Sequence, residues 1–189
     1  MKIVVAPDKF KDSLTGFEFC KAFAEGVSSV LPDAKVIDCP LADGGDGTMK
    51  VVNYYLKGEK ITLLVSDPLF RPVKATYLFS KKTRTAYIEM AEASGLHLLS
   101  EEERNCMFTT SFGTGELIKD ALERGAEKII LGIGGSATND LGIGMATALG
   151  YRFLDSEGKE VQPTGKNLIR IQKIEKDRIN PLLKDLDLQ

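Results

Sequence analysis

The stretch EKIILGIGGSATNDLGIGMATALG, Glu127 to Gly150, decides the reading of this chain. It opens on a short apolar run, passes through a glycine-rich polar segment, and closes on an apolar, alanine-rich one. The run reads as a buried strand and the closing segment as a helix capped by Gly150. Between them, Gly134 and Gly135 form the turn, because a residue without Cβ tolerates positive φ and close approach of another group. A glycine turn between a strand and a helix presents backbone N–H groups and a partial positive charge, which favour phosphate or carboxylate. Ser136 and Thr138 add hydroxyls and Asn139 an amide. Asp140 is the only charge; beside a bound phosphate it makes sense as a magnesium ligand or as a base. A turn whose Ser, Thr, Asn and Asp act only as helix caps accounts for the same residues.

Upstream, similar pieces repeat. KIVVAP, from Lys2, reads as a strand, and Thr15-Gly16-Phe17-Glu18 has the form of a capping box. It opens an amphipathic helix to about Val30, with Phe19, Ala22, Phe23 and Val27 on one face. AKVIDCP is a second strand, DGGDGT leads into a helix over Met49 to Leu56, and KITLLVS is a third strand. The two-proline turn DPLFRP, Asp67 to Pro72, introduces a change of style. VKATYLF and TAYIEM alternate and flank KKTR, the pattern of a hairpin. TTSFGTG precedes a helix over Glu116 to Arg124. YRFLDSEGKEV reads as a hairpin around Asp155 to Gly158, and the tail from Lys173 is charged, with scattered leucines. The predicted class is α/β, with a mainly parallel sheet and flanking helices. Two subdomains are expected: residues 1–66 as the amino-terminal part of a Rossmann- or flavodoxin-like domain, and 67–189 as the start of a second α/β domain carrying the 132–140 loop.

Composition narrows the function. The 189 residues carry 25 basic and 27 acidic side chains, with no basic block, so nucleic acid is a poor partner. No apolar run approaches the ~20 residues of a membrane helix, and no signal peptide is evident at the start. Three separated cysteines, Cys20, Cys39 and Cys106, read as thiols in a reducing cytoplasm. His97 is the only histidine, within an apolar run, and reads as packed or half-exposed rather than catalytic.

Three glycine-rich or polar loops follow strands, where ligands of open α/β sheets collect. APDKFKDSLT supplies Asp8, Lys9, Lys11 and Ser13, whose lysines could pair with an anion. ADGGDGT supplies Asp43 and Asp46 around Gly44 and Gly45, then Gly47 and Thr48. Together they point to a polyanionic ligand with a metal. A rival fits in part: Gly132-x-Gly134-x-x-Ala137 satisfies a relaxed dinucleotide fingerprint, and Asp155 follows at a ribose-binding distance. A non-catalytic anion-binding or assembly module is the third reading.

IVVAPDKFKDSLT, PLADGGDGT, DPLFRPVKATY, YIEMAEASGLHLL, TTSFGTGELI and GIGGSATNDLGIGMATALG, in this order, resemble the type I glycerate kinases of bacteria along nearly the whole chain. The resemblance implies ATP-dependent phosphorylation of D-glycerate, usually to 2-phosphoglycerate, in a cleft between two α/β domains. It also implies a longer protein of which this chain is the amino-terminal half, incomplete relative to the family. Exposed apolar edges would then favour a homodimer or added flexibility. Carried over residue by residue, Asp43, Asp140 and Lys9 are the catalytic candidates. Asp46 and Asp140 are the magnesium candidates. Asp8, Lys11, Ser13, Gly44, Gly45, Gly47, Thr48, Ser94, Gly95, Thr110, Gly113, Thr114, Gly134, Gly135, Ser136, Thr138 and Asn139 are expected to bind substrate or phosphate. Departures are Asp12 for a common glycine, Asp46 for a common glutamate, Glu92 for a small residue and Leu141 for a glycine. On this reading Asp140→Asn abolishes turnover and leaves the fold intact.

Overall fold

Thr15 and Glu18 close a reciprocal cap: the Glu18 N–H donates to Thr15 Oγ1 at 3.2 Å and the Thr15 N–H to Glu18 Oε2 at 2.8 Å. This cap starts α1, Gly16–Val30, as the sequence predicts. The computed structural model describes residues 1–11, 13–45 and 47–189; the expectations placed on Asp12 and Asp46 lie outside the described residues. The chain divides into two compact units, Met1–Asp43 and Gly44–Gln189.

In the first unit, β1 (Lys2–Val5) pairs in parallel with β2 (Lys35–Asp38), and α1 connects them. Cys20 of α1 is buried, and its Sγ lies 3.8 Å from the Val5 carbonyl. Burial pushes the Cys20 thiol above its ordinary range. The apolar face expected on α1 is covered only in part: Phe19 and Val27 are half-buried, while Ala22 and Phe23 are exposed.

The second unit is built on one sheet in the order β3 (Glu59–Ser66), β4 (Pro72–Ser80), β5 (Thr85–Glu89), β6 (Lys128–Gly132) and, last, a short strand at Asp187–Leu188. The first two pairings are antiparallel and the last two parallel. The α/β class predicted from sequence therefore holds, with a mixed sheet in the second unit. The parallel portion is confined to β5, β6 and the terminal strand. The hairpin read from VKATYLF and TAYIEM is β4–β5. The turn at Asp67–Pro72, expected to separate two domains, instead joins β3 to β4, which pair from Ser66↔Pro72 to Glu59↔Phe79. Continuous cross-strand pairing keeps both sides of that turn in one unit.

Helix α2 (Thr48–Leu56) precedes the sheet, α3 (Ala91–Ser94) follows β5, and α4 (Phe112–Glu123) crosses over to β6. The core lies between α4 and the sheet: Ile61, Val65, Tyr77, Ile88, Leu117, Ile118 and Ile129 are all buried there. α4 begins at Phe112, earlier than predicted, because its glycines suit close packing. A Cβ on Gly113 would fall 1.8 Å from the Ser66 carbonyl oxygen, and one on Gly115 would fall 2.5 Å from that of Met145. Helix α5 (Ile143–Ala148) is short; β7 (Arg152–Leu154) then pairs with β8 (Lys173–Glu175), and the terminal strand is β9. The tail, read from sequence only as charged with scattered leucines, thus supplies β8 and β9. Among the described residues, no helix is long and apolar enough to cross a membrane.

Candidate active site

β5 and β6 are parallel with Glu89 opposite Gly132, so the loops that follow them leave from one edge of the sheet. Three backbone bonds join the loop after β6 to its neighbours. The Gly134 N–H donates to the Gly44 carbonyl at 3.2 Å. The Leu96 N–H donates to Gly135 O at 2.9 Å, and the Ala137 N–H to Ser94 O at 2.9 Å. The two glycine-rich segments of this unit therefore touch. A Cβ on Gly132 would meet Gly44 O at 2.5 Å, and one on Gly134 would meet Gly45 Cα at 2.5 Å. The sequence reading assigned these glycines to a ligand; here Gly132 and Gly134 make room for the backbone of Gly44 and Gly45. Gly44 and Gly135 adopt positive φ, as their turns require.

Two carboxylates organise the helix starts at this edge. Glu89, at the end of β5, is buried and accepts hydrogen bonds from the N–H groups of Gly47, at 3.3 Å, and Met49, in the first turn of α2. Asp140 is 2 % exposed. Its carboxylate accepts from the Ser111 N–H at 2.8 Å and the Ser111 hydroxyl at 2.8 Å. It also accepts from the N–H groups of Gly142 at 3.0 Å and Gly144 at 3.1 Å. Ser111 precedes α4 and Gly142 precedes α5, so one carboxylate serves the positive ends of two helices. The helix N-termini that sequence reasoning offered to a phosphate are taken by the protein's own acids. This geometry favours a bracing role for Asp140 over the base or metal-ligand role expected from sequence, because its lone pairs already meet internal donors.

The remaining predicted residues separate by burial. Ser94 and Thr114 are buried, with their hydroxyls 2.8 Å apart, and Thr110 is buried as well. Thr110 Oγ1 accepts from the Phe112 N–H at 3.2 Å. Gly95 is packed so closely that a Cβ would meet Ala91 O at 2.2 Å. Solvent reaches Gly135 and Asn139, and in part Ser136 and Thr138, whose hydroxyls lie 3.0 Å apart. Gly47 is exposed and Thr48 half-buried, with the Thr48 hydroxyl donating to Gly45 O at 2.7 Å. In the first unit, Asp8, Lys9, Lys11, Ser13 and Asp43 are all exposed, and Lys9 Nζ lies 3.5 Å from Asp43 Oδ1.

A recess of about 330 Å³ opens beside Gly47 and Glu89, lined also by Lys50, Glu92 and His97. The sequence reading missed Lys50, and it missed the partnerships of Glu89 and Ser111. The Glu92 carboxylate accepts from the Thr76 N–H at 3.0 Å. Among the described residues, no three His, Cys, Asp or Glu side chains gather so as to hold a metal ion. Asp140 is engaged by N–H and O–H donors, while Asp46, the other magnesium candidate, lies outside the described residues.

The dinucleotide reading loses its geometric basis. Its glycines face another loop, and α5 begins only at Ile143 rather than directly from the turn. Asp155 is a turn residue whose carboxylate accepts from the N–H groups of Glu157 and Lys159, each at 3.0 Å. Those bonds, led by Lys159, hold its pKa below the usual carboxylate value.

A mixed α/β fold whose glycine-rich loops meet at the carboxyl edge of β5 and β6 defines the class of the protein. Comparison with known proteins specifies it further: residues 3–189 match the glycerate kinase family. The chain is 48% identical over 189 residues to the glycerate kinase of Haemophilus influenzae, covering 100% of the chain and 50% of that protein. It is 45% identical over 185 residues to the glycerate 2-kinase of Escherichia coli, covering 98% of the chain and 49% of the relative. A crystal structure assigned as glycerate kinase 2 from Salmonella typhimurium LT2 superimposes with a TM-score of 0.86 at 42% identity, over 100% of this chain and 50% of that one. The chain belongs to the glycerate kinase family and spans about half the length of the curated relatives it matches.

Proposed function

We propose that this protein takes part in ATP-dependent phosphorylation of D-glycerate, giving 2-phosphoglycerate. The observation that carries the reading is the match to the glycerate kinase family over residues 3–189. In the reaction the substrate hydroxyl oxygen attacks the γ-phosphorus, the bond from that phosphorus to the β–γ bridging oxygen breaks, and ADP leaves. The hydroxyl proton passes to a base. Catalysis by positioning and charge stabilisation suits such a transfer, because the protein has little covalent chemistry to perform.

On this reading the accessible part of the turn, Gly135, Ser136, Thr138 and Asn139, offers amides and hydroxyls to phosphate oxygens. Lys9 and Lys11 supply positive charge to a phosphate or to the glycerate carboxylate. Asp43 is the favoured proton acceptor, since it is exposed where Asp140 is buried. Asp8, Ser13, Gly44, Gly45, Gly47, Thr48, Gly95 and Gly134 shape the loops that hold the substrates. Ser94, Thr110, Gly113 and Thr114 support them from the interior. Magnesium enters as part of the nucleotide substrate, and the protein works in the cytoplasm; a homodimer belongs to the same reading.

The test is a coupled assay of ADP release with D-glycerate, set beside equilibrium titrations with ATP and with NADH. The reading predicts saturable ATP binding, none for NADH, and ADP release that depends on D-glycerate. Saturable NADH binding without ATP binding would support the oxidoreductase reading instead. Phosphate binding with no nucleotide preference would support a non-catalytic anion-binding module.

A further inference from the structure

With Glu89 and Asp140 filling the helix starts, a nucleotide bound to the second unit would draw its positive charge from side chains. Two cations, Lys166 and Arg170, come from a 3₁₀ helix, Gly165–Arg170, which the sequence reading left without a role. Gly165 sits against the turn: a Cβ there would lie 2.8 Å from the Asn139 carbonyl oxygen. The next residue is held too, the Lys166 N–H donating to Met107 O at 2.7 Å.

These residues border a recess of about 400 Å³, within the range of small-molecule pockets. Its walls include Phe70 and Phe108, which are 36% and 50% exposed. Phe70 is held at φ 62°, a left-handed conformation that non-glycine residues rarely adopt and that clusters at ligand clamps. Its ring leans on Phe112 with centroids 6.1 Å apart. Lys166 Nζ stands 5.1 Å from the centre of the Phe108 ring. Arg170 is steadied by Asp155 at 3.1 Å. Asn167, whose Nδ2 donates to Thr164 Oγ1 at 3.1 Å, completes the polar side. Two accessible aromatic rings and two cations lining one recess suit a ligand that joins a flat ring to a negative charge.

We propose that the recess bordered by Phe70, Phe108, Lys166 and Arg170 binds an adenine nucleotide, the base against the two phenyl rings and the phosphates toward Lys166, Arg170 and the Asn139 turn. The proposal deepens the kinase reading and rests on it for the identity of the ligand. The recess lies wholly within residues 44–189.

The experiment titrates the chain with mant-ADP, following fluorescence, for the wild type, Lys166→Ala and Phe108→Ala. Both substitutions fall at exposed side chains, and circular dichroism checks that folding is retained. The expected result is saturable binding that is weakened at least tenfold in each variant, with ADP a better competitor than adenosine or pyrophosphate. Wild-type affinity in both variants, or no binding by the wild type, would overturn the site.

A glycerate phosphorylation assay then separates the two ideas. Turnover with both ATP KM and kcat unchanged in the two variants removes the site and leaves the kinase reading in place. Nucleotide bound through this recess with no glycerate phosphorylation by the chain fused to the carboxy-terminal half of a family member keeps the site and removes the kinase reading. A raised ATP KM at unchanged kcat marks the ligand as substrate. A loss of kcat at unchanged KM marks it as an effector bound at the same recess.

Discussion

Ser111 donates both its N–H and its hydroxyl to the Asp140 carboxylate, each at 2.8 Å, and thereby ties the start of α4 to the loop after β6. The same hydroxyl accepts from the Met145 N–H at 3.0 Å, so α5 is joined to the pair. Breaking this hub leaves buried donors without an acceptor, a loss charged at the full desolvation cost of each group.

Asp140→Asn therefore lowers the free energy of unfolding by about 2–4 kcal/mol, and Ser111→Ala by about 1–2 kcal/mol. Urea denaturation of the two variants beside the wild type measures both. An Asp140→Asn protein with the wild-type midpoint and no phosphoryl transfer would return Asp140 to the chemistry.

Glu89 anchors the start of α2 in the same manner. Replacing it with alanine frees the Gly47 and Met49 N–H groups, and amide exchange over 47–50 accelerates by at least tenfold while β5 and β6 keep their protection. Glu89→Gln, which keeps one acceptor oxygen, restores part of it. Equal protection in all three proteins would remove the anchoring role.

Glycine at 134 and glycine at 26 do different work. Gly134→Ala places a methyl group 2.5 Å from Gly45 Cα, which forces the two loops apart and destabilises by about 2–3 kcal/mol. Gly26 lies within α1 with nothing within 4 Å of a Cβ. Gly26→Ala stabilises by about 0.5–1 kcal/mol, because alanine loses less backbone freedom in a helix. Thermal melts read both signs, and a neutral Gly134→Ala would contradict the loop contact.

Tyr77 is fully buried and its hydroxyl donates to Asp120 Oδ2 at 2.6 Å. Burial, with the Asp120 charge beside it, raises its pKa far above the ordinary value. The folded state thus keeps a proton that the unfolded state releases near pH 10, so the stabilisation is complete below that pH and is lost as pH climbs beyond it. A spectrophotometric titration should show one of the five tyrosines resisting ionisation until the protein unfolds. Tyr77→Phe flattens the alkaline fall in stability; an unchanged fall would assign it to other groups.

Much of the framework was legible because its causes are local. The Thr15–Glu18 cap and the alternation around KKTR are written within a few residues, and α1, β4 and β5 follow from them. The site was legible as a set of residues rather than as a set of roles. Gly134 is kept free of a side chain by Gly45, and Asp140 is engaged by Ser111, partners distant in sequence that no local pattern announces. β9 escaped for a related reason: Asp187–Leu188 is strand only because β6 offers it an edge.

The most direct test is a ³¹P NMR assay of ATP and D-glycerate with this chain fused to the carboxy-terminal half of the Haemophilus influenzae relative. The account predicts the ATP γ-phosphate resonance giving way to that of 2-phosphoglycerate. A folded, ATP-binding fusion that leaves D-glycerate unphosphorylated would contradict it.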